Sequence, residues 1–154
     1  GVALRLESFS YTDFEDVLSA CKEKAGEAML VVLDGIQDPH NLGALIRSAA
    51  SAGAAAVVIP RDRAAGVTAT AEKVAAGAAE TIPIVQVTNI AVTLEQLKTA
   101  GFWIYGADEK SSQSLYNQKL KGNIALVIGG EGALNASVAG GIAMFEAVRQ
   151  RLLT

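Results

Sequence analysis

The sequence predicts an α/β fold, a mostly parallel sheet with helices on both faces, and three observations carry that expectation. Short unbroken apolar runs such as Met29-Leu30-Val31-Val32-Leu33 suit parallel strands covered on both sides. Segments with helical spacing lie between these runs, so strands and helices alternate along the chain. The 51% apolar content is rich in Ala and Gly and poor in aromatics, which favours close packing of helices on a sheet. At 154 residues, 19% of them charged, the chain is expected to form an ordered domain large enough to bury a core.

Residues 1–28 combine a strand-like stretch (2–6), a polar turn and a weakly amphipathic helix marked by Phe14, Val17, Leu18 and Cys21, and read as a leading segment or linker. The regular rhythm begins with the strand at 29–33. Asp38-Pro39 opens a helix, with Asp as N-cap and Pro at the first helical position. Leu42, Leu45, Ile46 and Ala49 form its core stripe, and Gly53 is its expected stop. A strand at 55–59 ends at Pro60, a small-residue helix follows at 68–76, and a third strand is expected at 81–87. Residues 92–100 read as a helix stopped by Gly101, with Leu94 and Leu97 inward. Strands at 102–106 and 124–128 follow, and Trp103 and Tyr105 are expected in the core or at an interface. The chain closes with a helix at 138–152, where Val138, Ile142, Phe145, Val148 and Leu152 recur at helical spacing.

Composition narrows the function classes. A net charge of −3 gives no global attraction to nucleic acid, so any RNA contact must come from a local basic cluster. Cys21 is the only cysteine, which excludes an intrachain disulfide and a Cys-based zinc site, and no metal-ligand cluster is apparent. No apolar run approaches a membrane span and no signal-like segment opens the sequence. A soluble cytoplasmic protein with no membrane or metal partner is the expectation.

Four groups of residues could carry chemistry. In the element 38–49, Asn41 and Arg47 place an amide and a guanidinium near a helix start. Arg47 lies off the apolar stripe, with Gly43 one turn earlier expected to leave open space beside it; such a fork can hold a phosphate or orient a hydroxyl. The alternative is a solvated surface arginine. His40, the only histidine, reads as a turn residue satisfying local backbone. Val127-Ile128-Gly129-Gly130-Glu131-Gly132 follows the last strand; it lacks the position and spacing of a dinucleotide fingerprint, but glycines at a strand's carboxyl end let a ligand approach the backbone. A plain strand exit is the competing reading. In Leu134-Asn135-Ala136-Ser137-Val138-Ala139, Asn135 and Ser137 are both good helix N-caps. Arg61-Asp62-Arg63, just past Pro60, offers two arginines for RNA phosphates or, equally, a solvated loop.

Taken in order, residues 38–49, 129–132 and 134–139 resemble the three signature motifs of the SpoU/TrmH branch of the SPOUT superfamily, the S-adenosylmethionine-dependent 2′-O-ribose RNA methyltransferases, and most of all the bacterial enzymes that methylate a guanosine ribose in large-subunit ribosomal RNA. The resemblance runs from about Met29 to Arg151. It implies S-adenosylmethionine as cofactor, structured RNA as substrate and a homodimer with the site near the interface. It implies that Arg47 activates or orients the ribose 2′-hydroxyl and contacts phosphate, with Asn41 shaping the first motif. Glu131 and Asn135 would hold the motif loops and the substrate pocket, and Gly106, Gly129, Gly130 and Leu134 would line the cofactor site. Arg61 and Arg63 remain the further RNA-contact candidates. Residues 1–28 would be a linker and the remnant of an N-terminal RNA-binding domain, and 29–154 the catalytic domain. The family also carries, between its second and third motifs, a strand ending in an Ile-Pro turn that threads a C-terminal trefoil knot. Here Gly132-Ala133 runs directly into Leu134-Asn135, so the knot is expected only if that segment is present. Competing functions are methylation of transfer RNA and a non-catalytic RNA-binding or dimerisation module of the same fold.

Overall fold

The computed structural model describes residues 9–24, 26–106, 113–129 and 135–153. In chain order the elements are α1 (Phe14–Lys22), β1 (Met29–Asp34), α2 (Pro39–Ser51), β2 (Ala56–Pro60), α3 (Ala69–Ala75), β3 (Ile84–Val87), α4 (Ile90–Thr99), β4 (Trp103–Gly106), β5 (Ile124–Gly129) and α5 (Ala136–Leu152), with 3-10 turns at Ala78–Glu80 and Leu115–Asn117. The strands form one sheet in the order β3-β2-β1-β5-β4. Every neighbouring pair is parallel. The expected strand at 2–6 lies outside the described residues.

Alternation along the strands builds two cores. Met29, Val31 and Leu33 join Val57, Ile59, Ile84, Ile124, Leu126 and Ile128 on the face covered by α2, α3 and α5. Leu30 and Val32 join Ala56, Val58, Val85 and Ala125 on the other face, under Val17 and Cys21 of α1 and Leu97 of α4. This double covering is why β1 is apolar without interruption. Burial pushes the Cys21 thiol above its ordinary range, although Lys24 nearby works in the opposite direction.

The helix signals act as anticipated. Asp38 accepts a hydrogen bond from the His40 backbone N–H at 2.9 Å, with Pro39 in the first turn of α2. His40 therefore stands inside the helix rather than in a turn. Gly53 (φ +75°) and Gly101 (φ +93°) turn the chain out of α2 and α4 in the left-handed region, where a side chain would strain the backbone.

Two expectations are corrected and a third is narrowed. Gly43 does not leave open space beside Arg47: it is buried against α3, and an added Cβ would stand 2.5 Å from the Ala71 carbonyl oxygen and 2.7 Å from Val74 Cβ. The third strand starts at Ile84, not at 81, because Thr81 Oγ1 donates to Ala78 O at 2.9 Å and closes the 3-10 turn. Of the two places expected for Trp103 the core is excluded, since it is 71% exposed on the edge strand β4. On α5 the large apolar residues point outward, Val138, Ile142 and Phe145 being 52%, 42% and 47% exposed. The core face of α5 is instead lined by Ala136, Gly140, Ala143, Met144 and Ala147. Small residues are required there: a Cβ on Gly140 would overlap Leu45 of α2.

Candidate RNA and cofactor site

Because the strands are parallel, their carboxyl ends gather at one edge of the sheet. Asp34 of β1 stands in register with Gly129 of β5, and Gly106 of β4 with Val127. The two glycines therefore end adjacent strands. Among the described residues, and leaving out each glycine's chain neighbours, no atom lies within 4 Å of a Cβ built on either one. This leaves a bare stretch of backbone on which a flat group can lie, the contact expected of a cofactor bound at the carboxyl edge of an α/β sheet. Gly106 and Gly129 fit the cofactor role proposed for them on this ground. Gly130, Glu131 and Leu134 lie outside the described residues.

Beside this ledge, the Asp34–Gly35–Ile36 turn leads into α2. Asn41 is half-buried in the first turn of α2 and Arg47 is exposed further along it. Six residues apart, the two side chains are separated by about 9 Å along the axis and about 120° around it, so they do not act on one atom from one face. The α2 helix packs on α5, where a Cβ on Gly141 would stand 4.0 Å from Ser48 Oγ. Arg47 is thus next in sequence to the seam between the two helices. Asn135 caps α5: its Oδ1 accepts from the Ser137 backbone N–H at 2.9 Å and from the Ser137 hydroxyl. That oxygen is committed to the helix, and only the amide N–H groups of Asn135 remain to reach outward.

Arg61 and Arg63 are exposed on the loop between β2 and α3. The loop is hydrogen-bonded to the turn that precedes α2, through Ala65 N–H to Ile36 O at 2.7 Å. So the first motif and the Arg61/Arg63 loop are neighbours, which the sequence spacing did not reveal. Arg47, Arg61 and Arg63 have no carboxylate partner and no side-chain hydrogen bond among the described residues. Among those residues no group of three or more His, Cys, Asp and Glu side chains could hold a metal ion, and no helix is long and apolar enough to cross a membrane.

Residues 28–133 match the SpoU rRNA Methylase family. The chain belongs to that family. It is 44% identical to the 23S rRNA (guanosine-2'-O-)-methyltransferase RlmB of Xanthomonas campestris pv. campestris over 179 residues, covering 99% of this chain and 71% of that protein. The enzyme of the same name from Vibrio vulnificus is 44% identical over 91% of this chain and 65% of its own length. Among solved structures, the SpoU methyltransferase AviRb from Streptomyces viridochromogenes, in complex with the cofactor AdoMet, superposes with a TM-score of 0.75 at 22% identity over 82% of this chain and 59% of that one. The A. aeolicus TrmH/SpoU tRNA modifying enzyme gives 0.74 at 24% identity over 90% and 84%. At these identities the structural likeness concerns the fold, and it agrees with the parallel five-stranded sheet.

The Xanthomonas match extends over 179 residues whereas this chain has 154, so at least 25 positions of the match have no counterpart here. The family match also stops at Ala133. That end falls where Ala133 runs directly into Leu134. The expected knot itself concerns residues outside those described.

Proposed function

We propose that this chain is the catalytic domain of a cytoplasmic methyltransferase that modifies the 2′-hydroxyl of a guanosine ribose in large-subunit ribosomal RNA, with S-adenosylmethionine as methyl donor. The observation that carries the proposal is 44% identity, over 99% of the chain, to a protein named for that reaction. The sulfonium donor supplies an already activated methyl group, which leaves the protein chiefly the task of alignment.

Arg47 is the proposed catalytic residue. A ribose hydroxyl is a weak nucleophile. A guanidinium, protonated at any accessible pH, orients it and stabilises the negative charge left on its oxygen as the hydroxyl proton passes to solvent; that charge is consumed as the new O–C bond forms and the donor's S–C bond breaks to leave a neutral thioether. Arg61 and Arg63 hold the neighbouring phosphates, which position the strand without reading its sequence. Gly106 and Gly129, with Gly130 and Leu134, give the cofactor its backbone floor. Asn41, Glu131 and Asn135 hold the motif loops around it. Residues 1–28 lead from an RNA-binding region into the catalytic unit of 29–154, with α1 packed on its sheet.

We also infer a homodimer. The exposed apolar face of α5 formed by Val138, Ile142 and Phe145 lies next to the α2 seam, and burying it against a second copy brings the two Arg47 sites close to the interface. A monomeric mass at micromolar concentration would contradict this part of the proposal.

The test of function is methyl transfer from labelled S-adenosylmethionine to unmodified ribosomal RNA and, separately, to transfer RNA. Label recovered in 2′-O-methylguanosine of the ribosomal RNA is the expected result. Label in transfer RNA alone would move the substrate, and RNA binding with no transfer to either would favour a non-catalytic binding module.

A further inference from the structure

The segment before α1 is laid against the loop that carries Arg61 and Arg63. Tyr11 Oη accepts a hydrogen bond from the Val67 backbone N–H at 3.1 Å. The Phe9 ring meets the Tyr11 ring edge-on, with centroids 5.1 Å apart and an interplanar angle of 72°. Both rings pack against the core under α2 and α3, so the phenol is held in place. Gly66 leaves room for it: a Cβ there would stand 3.3 Å from Tyr11 Oη.

The same loop is fixed at two further points. Arg61 N–H donates to Val87 O at 2.8 Å, and Ala65 N–H to Ile36 O at 2.7 Å. Between these clamps Arg63 adopts φ +58°, a left-handed conformation unfavourable for any residue with a Cβ. The loop thus combines three anchors, a strained backbone and two arginines that no carboxylate of the described residues engages. A solvated loop needs none of this ordering. A loop that must present cations at fixed positions gains from it, because the ordering is complete before the ligand arrives.

We propose that Tyr11 is a positioning residue for RNA: its hydroxyl holds the downstream end of loop 61–67, so that Arg61 and Arg63 meet the phosphates flanking the target ribose from a preset geometry. The proposal rests on the reading that Arg61 and Arg63 contact RNA. Without the hydroxyl, the buried Val67 N–H loses its partner and the anchor nearest α3 is released.

A double-mutant cycle tests it. Affinity for a large-subunit ribosomal RNA transcript is measured at several salt concentrations for the wild-type chain, Tyr11→Phe, the pair Arg61→Ala with Arg63→Ala, and all three combined. Tyr11→Phe is expected to weaken RNA binding roughly three- to tenfold, the worth of one hydrogen bond, with S-adenosylmethionine affinity unchanged. It should weaken binding no further once the two arginines are gone. Gly66→Ala, which crowds the same hydroxyl without removing it, should give the same pattern at smaller amplitude. Equal weakening by Tyr11→Phe in both backgrounds, or none in either, would overturn the positioning role while leaving the arginines as RNA contacts. If removing both arginines changes neither affinity nor salt dependence, the underlying reading falls and the proposal with it.

Discussion

Two sets of arginines in this molecule are employed in opposite ways. At the amino-terminal edge of the sheet, Arg151 of α5 donates to Glu27 O at 2.6 Å, Gly122 O at 2.7 Å and Leu120 O at 3.3 Å, tying the helix to the residues just before β1 and β5. Arg149 grips Glu146 with two bonds of 2.8 Å, and Gln150 adds a third to the same carboxylate at 3.0 Å. On α2 and on the loop leaving β2, by contrast, the side chains of Arg47, Arg61 and Arg63 are exposed and have no protein partner among the described residues. The same kind of side chain serves as structural glue in one set and as an unused fork in the other. In a chain of net charge −3, uncommitted forks are where an anionic polymer can bind.

The contrast breaks first on Arg47. Arg47→Ala is expected to lower methyl transfer about 100-fold or more, the usual scale for removing a group that stabilises developing charge, with the melting temperature unchanged. Radiolabel transfer and a thermal melt on the same preparation check both halves; retained activity would end the role assigned to Arg47. The opposite outcome is expected for Arg151→Ala. It leaves three carbonyl oxygens without their donor and should cost about 2 kcal/mol of stability in a denaturant titration, while RNA binding by the folded fraction stays the same.

A smaller, pH-dependent effect sharpens the structural half. Hydrogen bonds from Arg149 and Gln150, aided by the charge of Arg149, hold the Glu146 carboxyl down at about 2, below its ordinary 4.5, against the opposing effect of its burial. A depressed carboxylate stabilises the fold fully above 4.5 and loses that contribution as the pH falls towards 2. Glu146→Gln should therefore lower the melting temperature at neutral pH, and the gap to wild type should close across that acid window. A gap independent of pH would mean that the carboxylate's charge contributes nothing.

The sequence disclosed most of the scaffold because its signals are local. The unbroken run of β1, the Asp38-Pro39 cap and the stops at Gly53 and Gly101 each depend on neighbours a few residues away. What it hid depends on distant partners. Gly43 looked like space beside Arg47, yet its role is set by the Ala71 carbonyl of another helix. The apolar stripe of α5 has the spacing of a core face, but only Gly140 against Leu45 and Ile128 shows that the small side packs inward. Trp103 reads as a core or interface residue, and only the place of β4 at the sheet's edge removes the first alternative. For the site, the motif order pointed to Asn41, Arg47 and Gly129. The tie from Tyr11 to Val67 spans 56 residues and left no trace in the spacing. Glu131, Gly130 and Leu134 stand beyond the described residues, so their roles rest on the resemblance alone.

The most direct test of the arginine contrast is the salt dependence of RNA affinity. The triple variant Arg47→Ala, Arg61→Ala, Arg63→Ala is compared with Arg149→Ala, Arg151→Ala, both in conditions where the protein is fully folded. Each lost phosphate contact removes about 0.7–0.9 from the slope of log affinity against log salt. The triple variant should therefore lose roughly two to three units of slope, and the α5 variant none. An unchanged slope in the triple variant, or an equal loss in both, would contradict the account.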